Sequence, residues 1–258
     1  MTMQPYSESR PNEASFTVAS YNTHRCVGID RKYDPERTAR VIRELDADII
    51  GLQEIDAGFY RSQGSRQLER LADATGLNVV NGPTKRGTGG HYGNVLLTSR
   101  KVVGVRRIDL SVYGREPRGA IDVDLDVDGE IVRVMVVHLG LGGLERRRQV
   151  NRLLHGCSSE QEQLHVVLGD INEWFPLGRP LHRLHRHFGK SPARRTFPSF
   201  LPVLALDRIW VKPLDALMEI SVHDTVLSRV ASDHLPIKAT ITRMDATAAC
   251  AGSLSGVK

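Results

Sequence analysis

The chain of 258 residues predicts a mixed α/β fold, and three observations carry that reading. Short apolar runs, which read as buried strands, repeatedly end in polar residues. Between them lie segments with helix start signals. The stretch 121–138 reads as an antiparallel hairpin, which a purely parallel sheet would not contain.

In chain order, Phe16-Thr17-Val18-Ala19-Ser20 forms the first strand and opens into Tyr21-Asn22-Thr23-His24. Asp34-Pro35-Glu36 marks a helix, with Asp as N-cap, Pro at the first helical position and an apolar stripe of Val41, Ile42 and Leu45. Asp48-Ile49-Ile50-Gly51-Leu52 is the next strand and ends in Gln53-Glu54. Further strands are expected at Val95-Leu96-Leu97-Thr98 and Val102-Val103-Gly104-Val105.

Ile121 to Val127 alternates apolar and acidic residues, and Asp128-Gly129 supplies the two-residue turn that hairpins favour. The period of two makes Asp122, Asp124 and Asp126 a solvated sheet face, although three acids also resemble a metal site. The returning strand, Ile131 to Val137, closes on His138. A second helix begins near Gly143 and carries Arg146, Arg147 and Arg148 ahead of Val150 and Leu153-Leu154.

Leu164-His165-Val166-Val167-Leu168 then leads into Gly169-Asp170-Ile171-Asn172. The Gly lets the chain leave the strand sharply. An Asp there can take a proton from a water, and an Asn can bind a phosphoryl oxygen without adding charge. Asp207 opens the run Asp207-Arg208-Ile209-Trp210-Val211, and Ser232-Asp233-His234 precedes Leu235-Pro236-Ile237-Lys238-Ala239. Polar residues at so many strand ends suggest one cleft at one edge of the sheets.

The ordered set Asn22, Glu54, His138, Asp170-x-Asn172, Asp207 and Ser232-Asp233-His234 resembles the endonuclease/exonuclease/phosphatase superfamily of metal-dependent phosphoesterases, over roughly residues 16–242. The resemblance implies a four-layered α/β/β/α sandwich of two mixed sheets flanked by helices. It implies Mg²⁺ as cofactor, with Mn²⁺ as a substitute, and Glu54 as first ligand beside Asn22 and Asp233. Mg²⁺ prefers oxygen ligands, keeps several waters and takes one or two carboxylates.

Under the same resemblance Asp170 orients or deprotonates the attacking water and Asn172 holds a non-bridging oxygen. His234 meets the phosphoryl group, and Asp207 fixes its ring. His138 points to the deoxyribonuclease, sphingomyelinase and inositol-phosphatase branches. Abasic-site endonucleases lack that His and carry an Asp where this chain has His24. Arg118 is a candidate phosphate clamp, while His91, Asn94 and Asn22 are candidates to contact substrate.

A net charge of +5 and a pI near 9.3 favour an anionic partner. The segment Arg179 to Arg195 is dense in Arg, His and Lys, and reads as a solvated face or as a landing surface for a polyanion or anionic membrane. Trp174-Phe175 and the run Phe197 to Leu204 lie beside it, the latter as an apolar rim just ahead of Asp207.

The expected activity is hydrolysis of a phosphodiester in nucleic acid or a phospholipid headgroup. The alternatives are a phosphomonoesterase on a small metabolite and a non-catalytic polyanion-binding module. Cys26, Cys157 and Cys250 have no metal-like spacing, which fits a reducing, cytoplasmic setting. The first residues lack a signal-peptide pattern, and no apolar run is long enough to span a membrane. One catalytic domain is expected over 15–243, between a flexible N-terminus, 1–14, and a disordered tail, 244–258.

Overall fold

The computed structural model describes residues 15–56, 64–87, 90–157 and 163–243, without the side chains of 64–66, 83–87 and 90–92. The expected N-terminal arm and tail lie outside these residues, as does Cys250. Cys26 and Cys157 are buried free thiols.

Two sheets stack face to face. The six-stranded sheet holds β1 (Ser15–Asn22), β2 (Ile49–Asp56), β3 (Asn78–Gly87), β4 (Gly90–Thr98), β10 (Leu217–Val222) and β11 (Ile237–Thr242) in the order β10-β11-β1-β2-β4-β3. The five-stranded sheet runs in sequence order through β5 (Lys101–Asp109), β6 (Gly119–Val127), β7 (Glu130–His138), β8 (His165–Asp170) and β9 (Asp207–Lys212). Both sheets are mixed, because β1 pairs β2 in parallel and β7 pairs β8 in parallel while their other neighbours are antiparallel.

The layers follow from side-chain alternation. Inward-facing Phe16, Val18, Ile49, Leu96, Val134, Val136, Val166, Leu168 and Ile209 form the core between the sheets. The opposite face of the first sheet, with Ala19, Ile50, Leu52 and Leu97, is covered by α1 (Pro35–Leu45), α2 (Gly64–Thr75) and α5 (Val226–Ala231). The outer face of the second sheet, with Met135, Val137, Val167 and Trp210, is covered by α3 (Gly143–Gly156) and α4 (Arg179–Phe188). This is the four-layered α/β/β/α sandwich.

Gly51 lets the sheets close: a Cβ there would stand 2.1 Å from Leu168 Cδ1 and 2.9 Å from Val136 Cγ1. The expected helix signals hold at α1, where the Asp34 carboxylate accepts from Arg37 N at 2.9 Å and Pro35 follows it. The expectation of a solvated acidic face on β6 holds only in part, since Asp124 and Asp126 keep partial exposure and Asp122 does not. Asp122 is 1% exposed because the guanidinium of Arg133, itself hydrogen-bonded to the end of α3 at Gly156 O, reaches over it. Within the basic segment, α4 buries Leu181, Leu184 and Phe188 and turns its other side to solvent.

The parallel pairs matter most for function. β1 and β2 end together at Asn22 and Gln53, and β7 and β8 end together at His138 and Asp170. Because β9 runs antiparallel to β8, it starts where β8 ends, with Asp207 paired to Asp170.

Candidate active site

At this end of the sandwich the sequence-predicted residues converge on Asp170, which is 1% exposed. Asn22 Nδ2 donates to its Oδ2 at 3.0 Å, and the backbone N–H of Asn172 donates to its Oδ1 at 2.8 Å. Two imidazoles flank the carboxylate: His138 Nε2 is 3.6 Å from Oδ2 and His234 Nε2 is 3.7 Å from it.

Gly169 makes this placement possible. Its φ of +146° is rarely open to L side chains, and a Cβ would fall 1.9 Å from Val137 O. Without a side chain at this position β8 stays in register with β7, so that Asp170 is placed beside His138. Asn172 follows at φ 53°, in the left-handed region that Asn tolerates better than most residues.

The two histidines are shifted in opposite directions. His234 Nδ1 pairs with Asp207 Oδ2 at 2.8 Å. Burial works against its charge, but the carboxylates of Asp207 and Asp170 outweigh it and raise the imidazole to about 10. His138 is pushed well below its ordinary value by burial, by Arg118 and by His234, so it stays neutral. Arg118 NH1 lies 2.8 Å from its Nδ1, and Asn172 Nδ2 lies 3.1 Å from its Nε2. Burial also lifts Asp170, to about 7, with the nearby His234 charge pulling it down. A buried carboxylate thus stands near neutrality between one cationic and one neutral ring.

Glu54 enters from the first sheet. The β2–β4 register shifts between Leu52 and Ile55, and within that bulge Glu54 takes φ 60°. A bulge re-aims the side chain it carries. Gln53 turns inward to Gly51 O and Ser20, while Glu54 Oε1 lies 4.0 Å from His138 Nε2. No donor among the described residues hydrogen-bonds the Glu54 carboxylate. Asp233 is one-third exposed, with His24 Nδ1 at 3.8 Å, and the Ser232 hydroxyl ties its loop to Asn22 O at 2.7 Å.

Among the described residues no three His, Cys, Asp or Glu side chains form a closed metal cage. The available donors are carboxylate and amide oxygens, with Glu54 uncommitted. That set fits a hard cation keeping most of its waters and does not fit a structural zinc.

The remaining candidates divide. Arg118 is buried at the base of the site, where its NH2 also pairs with Glu116 at 2.7 Å. Asn94 sits deeper and donates to Gly119 O at 2.8 Å and Val136 O at 3.4 Å, bridging the two sheets. The His91 side chain lies outside the described residues.

Two contacts were not foreseen from the sequence. Thr196 Oγ1 donates to Asp207 Oδ2 at 2.5 Å, and the Phe197 ring stands 4.9 Å from the His234 ring. Phe197 opens the segment read only as an apolar rim, and Thr196 immediately precedes it. The rim itself is exposed, Phe200 by 60% and Leu201 by 63%, and is tied to the site by Ser199 N donating to Asp233 O at 2.7 Å.

Comparison with known proteins places the chain in a family. Residues 19–234 match the Endonuclease/Exonuclease/phosphatase family. YbhP of Escherichia coli K12 is 30% identical over 245 residues, covering 88% of this chain and 96% of YbhP. Among solved structures, the mannosyl-6-phosphatase Bt3783 of Bacteroides thetaiotaomicron superposes with a TM-score of 0.68 at 17% identity, covering 87% of this chain and 98% of that one. A humanized TDP2 of D. rerio superposes at 0.65 and 16% identity, covering 89% of this chain and 99% of that one. At such identities the two structures speak for the fold, while the family match extends across nearly all of the described chain. The chain therefore belongs to the endonuclease/exonuclease/phosphatase family.

Proposed function

We propose that the chain is a Mg²⁺-dependent phosphodiesterase acting on a phospholipid headgroup. The observation that carries the chemistry is Asp170, a buried carboxylate near neutrality that lies 3.7 Å from the protonated His234. In its ionised form Asp170 accepts the proton of a water placed in the cleft, with Asn22 and the Asn172 N–H holding its orientation.

His234 offers its Nε2 proton to a phosphoryl oxygen, while Asp207 holds the other side of the ring. Charge that builds on phosphorus is thus met by a fixed cation in a site shielded from water. Neutral His138, accepting from Arg118, shapes the opposite wall without adding charge. Glu54, with Asn22 and Asp233 beside it, would hold Mg²⁺, which when bound neutralises phosphoryl charge and acidifies a bound water. The exposed Phe200, Leu201 and Val203 beside Asp233 favour a lipid over a nucleic acid.

The test is a Mg²⁺ titration against a soluble diester, phospholipid vesicles, DNA and an aryl monoester. Diester cleavage abolished by chelator, with Glu54→Gln raising the Mg²⁺ requirement, is expected. Full activity in excess chelator removes the metal assignment. Turnover confined to monoesters replaces the reading with a phosphomonoesterase, and preference for DNA replaces the lipid.

A further inference from the structure

On the far side of β9 from Asp207, the strand carries a second feature that catalysis does not use. Alternation sends Asp207 and Ile209 toward the site and the inter-sheet core, and Arg208 and Trp210 toward α4. Arg208 is 6% exposed. It lines a cavity of about 730 Å³ between β9, α4 and the loops at 176–177 and 190–193.

Five arginines are buried among the described residues, and four have an acidic partner: Arg37 with Asp30, Arg118 with Glu116, Arg133 with Asp122 and Arg146 with Glu173. The Arg208 side chain makes no ion pair or hydrogen bond among the described residues. The carboxylate that favours its charge is that of Asp207, which faces the other way and is already paired with His234. A buried cation without a counter-charge costs stability, and an anionic ligand would offset that cost.

The rest of the cavity agrees in sign and shape. His182, His185 and Lys190 also line it, and no carboxylate does. His185 Nδ1 accepts two hydrogen bonds, from Trp210 Nε1 at 3.1 Å and from Ser191 N at 3.3 Å. Its ring proton is therefore on Nε2, an additional neutral donor. Pro176, Leu177, Leu181 and Pro192 supply an apolar wall.

We infer that this cavity is a binding site for a small organic anion, its charged head on Arg208 and its apolar body along the wall formed by Leu177, Leu181 and Pro192. A guanidinium fork donates two parallel hydrogen bonds to a carboxylate or a tetrahedral oxyanion. The site is separate from the catalytic centre and stands whether or not the chain is a phosphodiesterase.

The two tryptophans make the test direct. In a Trp174→Phe background, Trp210, bonded to His185 at the cavity wall, is the sole tryptophan reporter. Its fluorescence is titrated with hexanoate and hexanesulfonate, neither of which a phosphoesterase can hydrolyse, and with hexanol and inorganic sulfate as single-feature controls. A saturable change with at least one hexyl anion, tighter than either control, is expected, and the tighter anion identifies the head group.

Arg208→Met should weaken that binding by about tenfold or more, whereas His234→Ala should leave it unchanged. Arg208→Met should also fold, since it removes an unpaired buried charge. Should it not, Lys190→Gln at the exposed rim decides, with a weakening of about threefold expected. No saturable response to either hexyl anion, or equal affinity in the Arg208 and Lys190 variants, overturns the site.

Discussion

Asp122 and Asp170 lie on the same five-stranded sheet, each 1% exposed, and the two carboxylates are managed in opposite ways. Asp122 is gripped by two guanidinium groups, Arg133 at 2.6 and 2.9 Å and Arg106 at 2.9 and 3.2 Å. Burial alone would raise its pKa, but those bonds outweigh burial and hold it below the ordinary carboxylate range. Asp170 receives an amide, a backbone N–H and two imidazoles beyond hydrogen-bond distance, and burial lifts it to about 7. Equal burial therefore says nothing about role. A carboxylate saturated with fixed cations is locked in one protonation state, whereas one held by neutral donors near a movable proton can exchange it.

The comparison is most exposed to failure at the site itself. Asp170→Asn and His234→Ala are each expected to lower turnover on the order of a thousandfold while the circular dichroism spectrum and melting temperature stay near the parent's. A folded variant of either kind with near-parental turnover would end the assignment. Asp207→Asn should cost less, because His234 remains in place without its anionic partner.

Asp122→Ala should do the reverse. It strands Arg133 without its counter-charge, which costs about 3–5 kcal/mol in chemical denaturation, and leaves turnover per folded molecule unchanged. Lost turnover at full stability would show that the two acids do not divide as described.

A third group sharpens the contrast from the other end of β8. His165 is 7% exposed, its ring edge-on to Phe188 at 5.3 Å, and burial with Arg133 lowers it from 6.5 to about 4. Above pH 6.5 the ring is neutral in both folded and unfolded chains. As pH falls from 6.5 toward 4 the unfolded chain takes up a proton that the folded chain refuses, so stability is lost across that window. The loss is on the order of 3 kcal/mol, and His165→Leu should flatten that part of the stability–pH curve measured by denaturation. An unchanged slope would place the acid sensitivity elsewhere.

The smallest effect is expected at the rim. Phe200 and Leu201 are exposed, so replacing both with Ser should shift stability by no more than about 0.5 kcal/mol per site. Turnover of vesicle phospholipid should nevertheless fall further than turnover of a soluble diester. An equal fall in both would remove the lipid argument.

Much of this was legible in the chain because it is local. A run such as Leu164 to Leu168 can be recognised as a buried strand from composition, although the strand does not end at the Gly as expected but continues through it to Asp170. The Asp34-Pro35 helix start is likewise written in neighbouring residues. Contacts between distant segments carry no such local mark. Nothing near Thr196 says that its hydroxyl caps Asp207, and the alternation in β6 says which residues share a face but not that Arg106 and Arg133 cover it. The bulge that turns Glu54 into the cleft has no Gly to betray it. Asn94 illustrates the opposite error: its residue type suggested a substrate contact, while its amide bonds the second sheet's backbone.

The origin of the cleft in two separate sheets has a consequence for how the molecule can fail. Asn22 and Glu54 arrive on one sheet, and His138, Asp170 and Asp207 on the other, and the sheets meet where Gly51 touches Leu168 and Val136. Neither sheet alone owns enough of the constellation to form a weaker version of it. Catalytic competence is thus tied to the alignment of the two layers, so a molecule whose sheets have slipped but kept their own ladders would be inert while looking nearly native in its secondary structure.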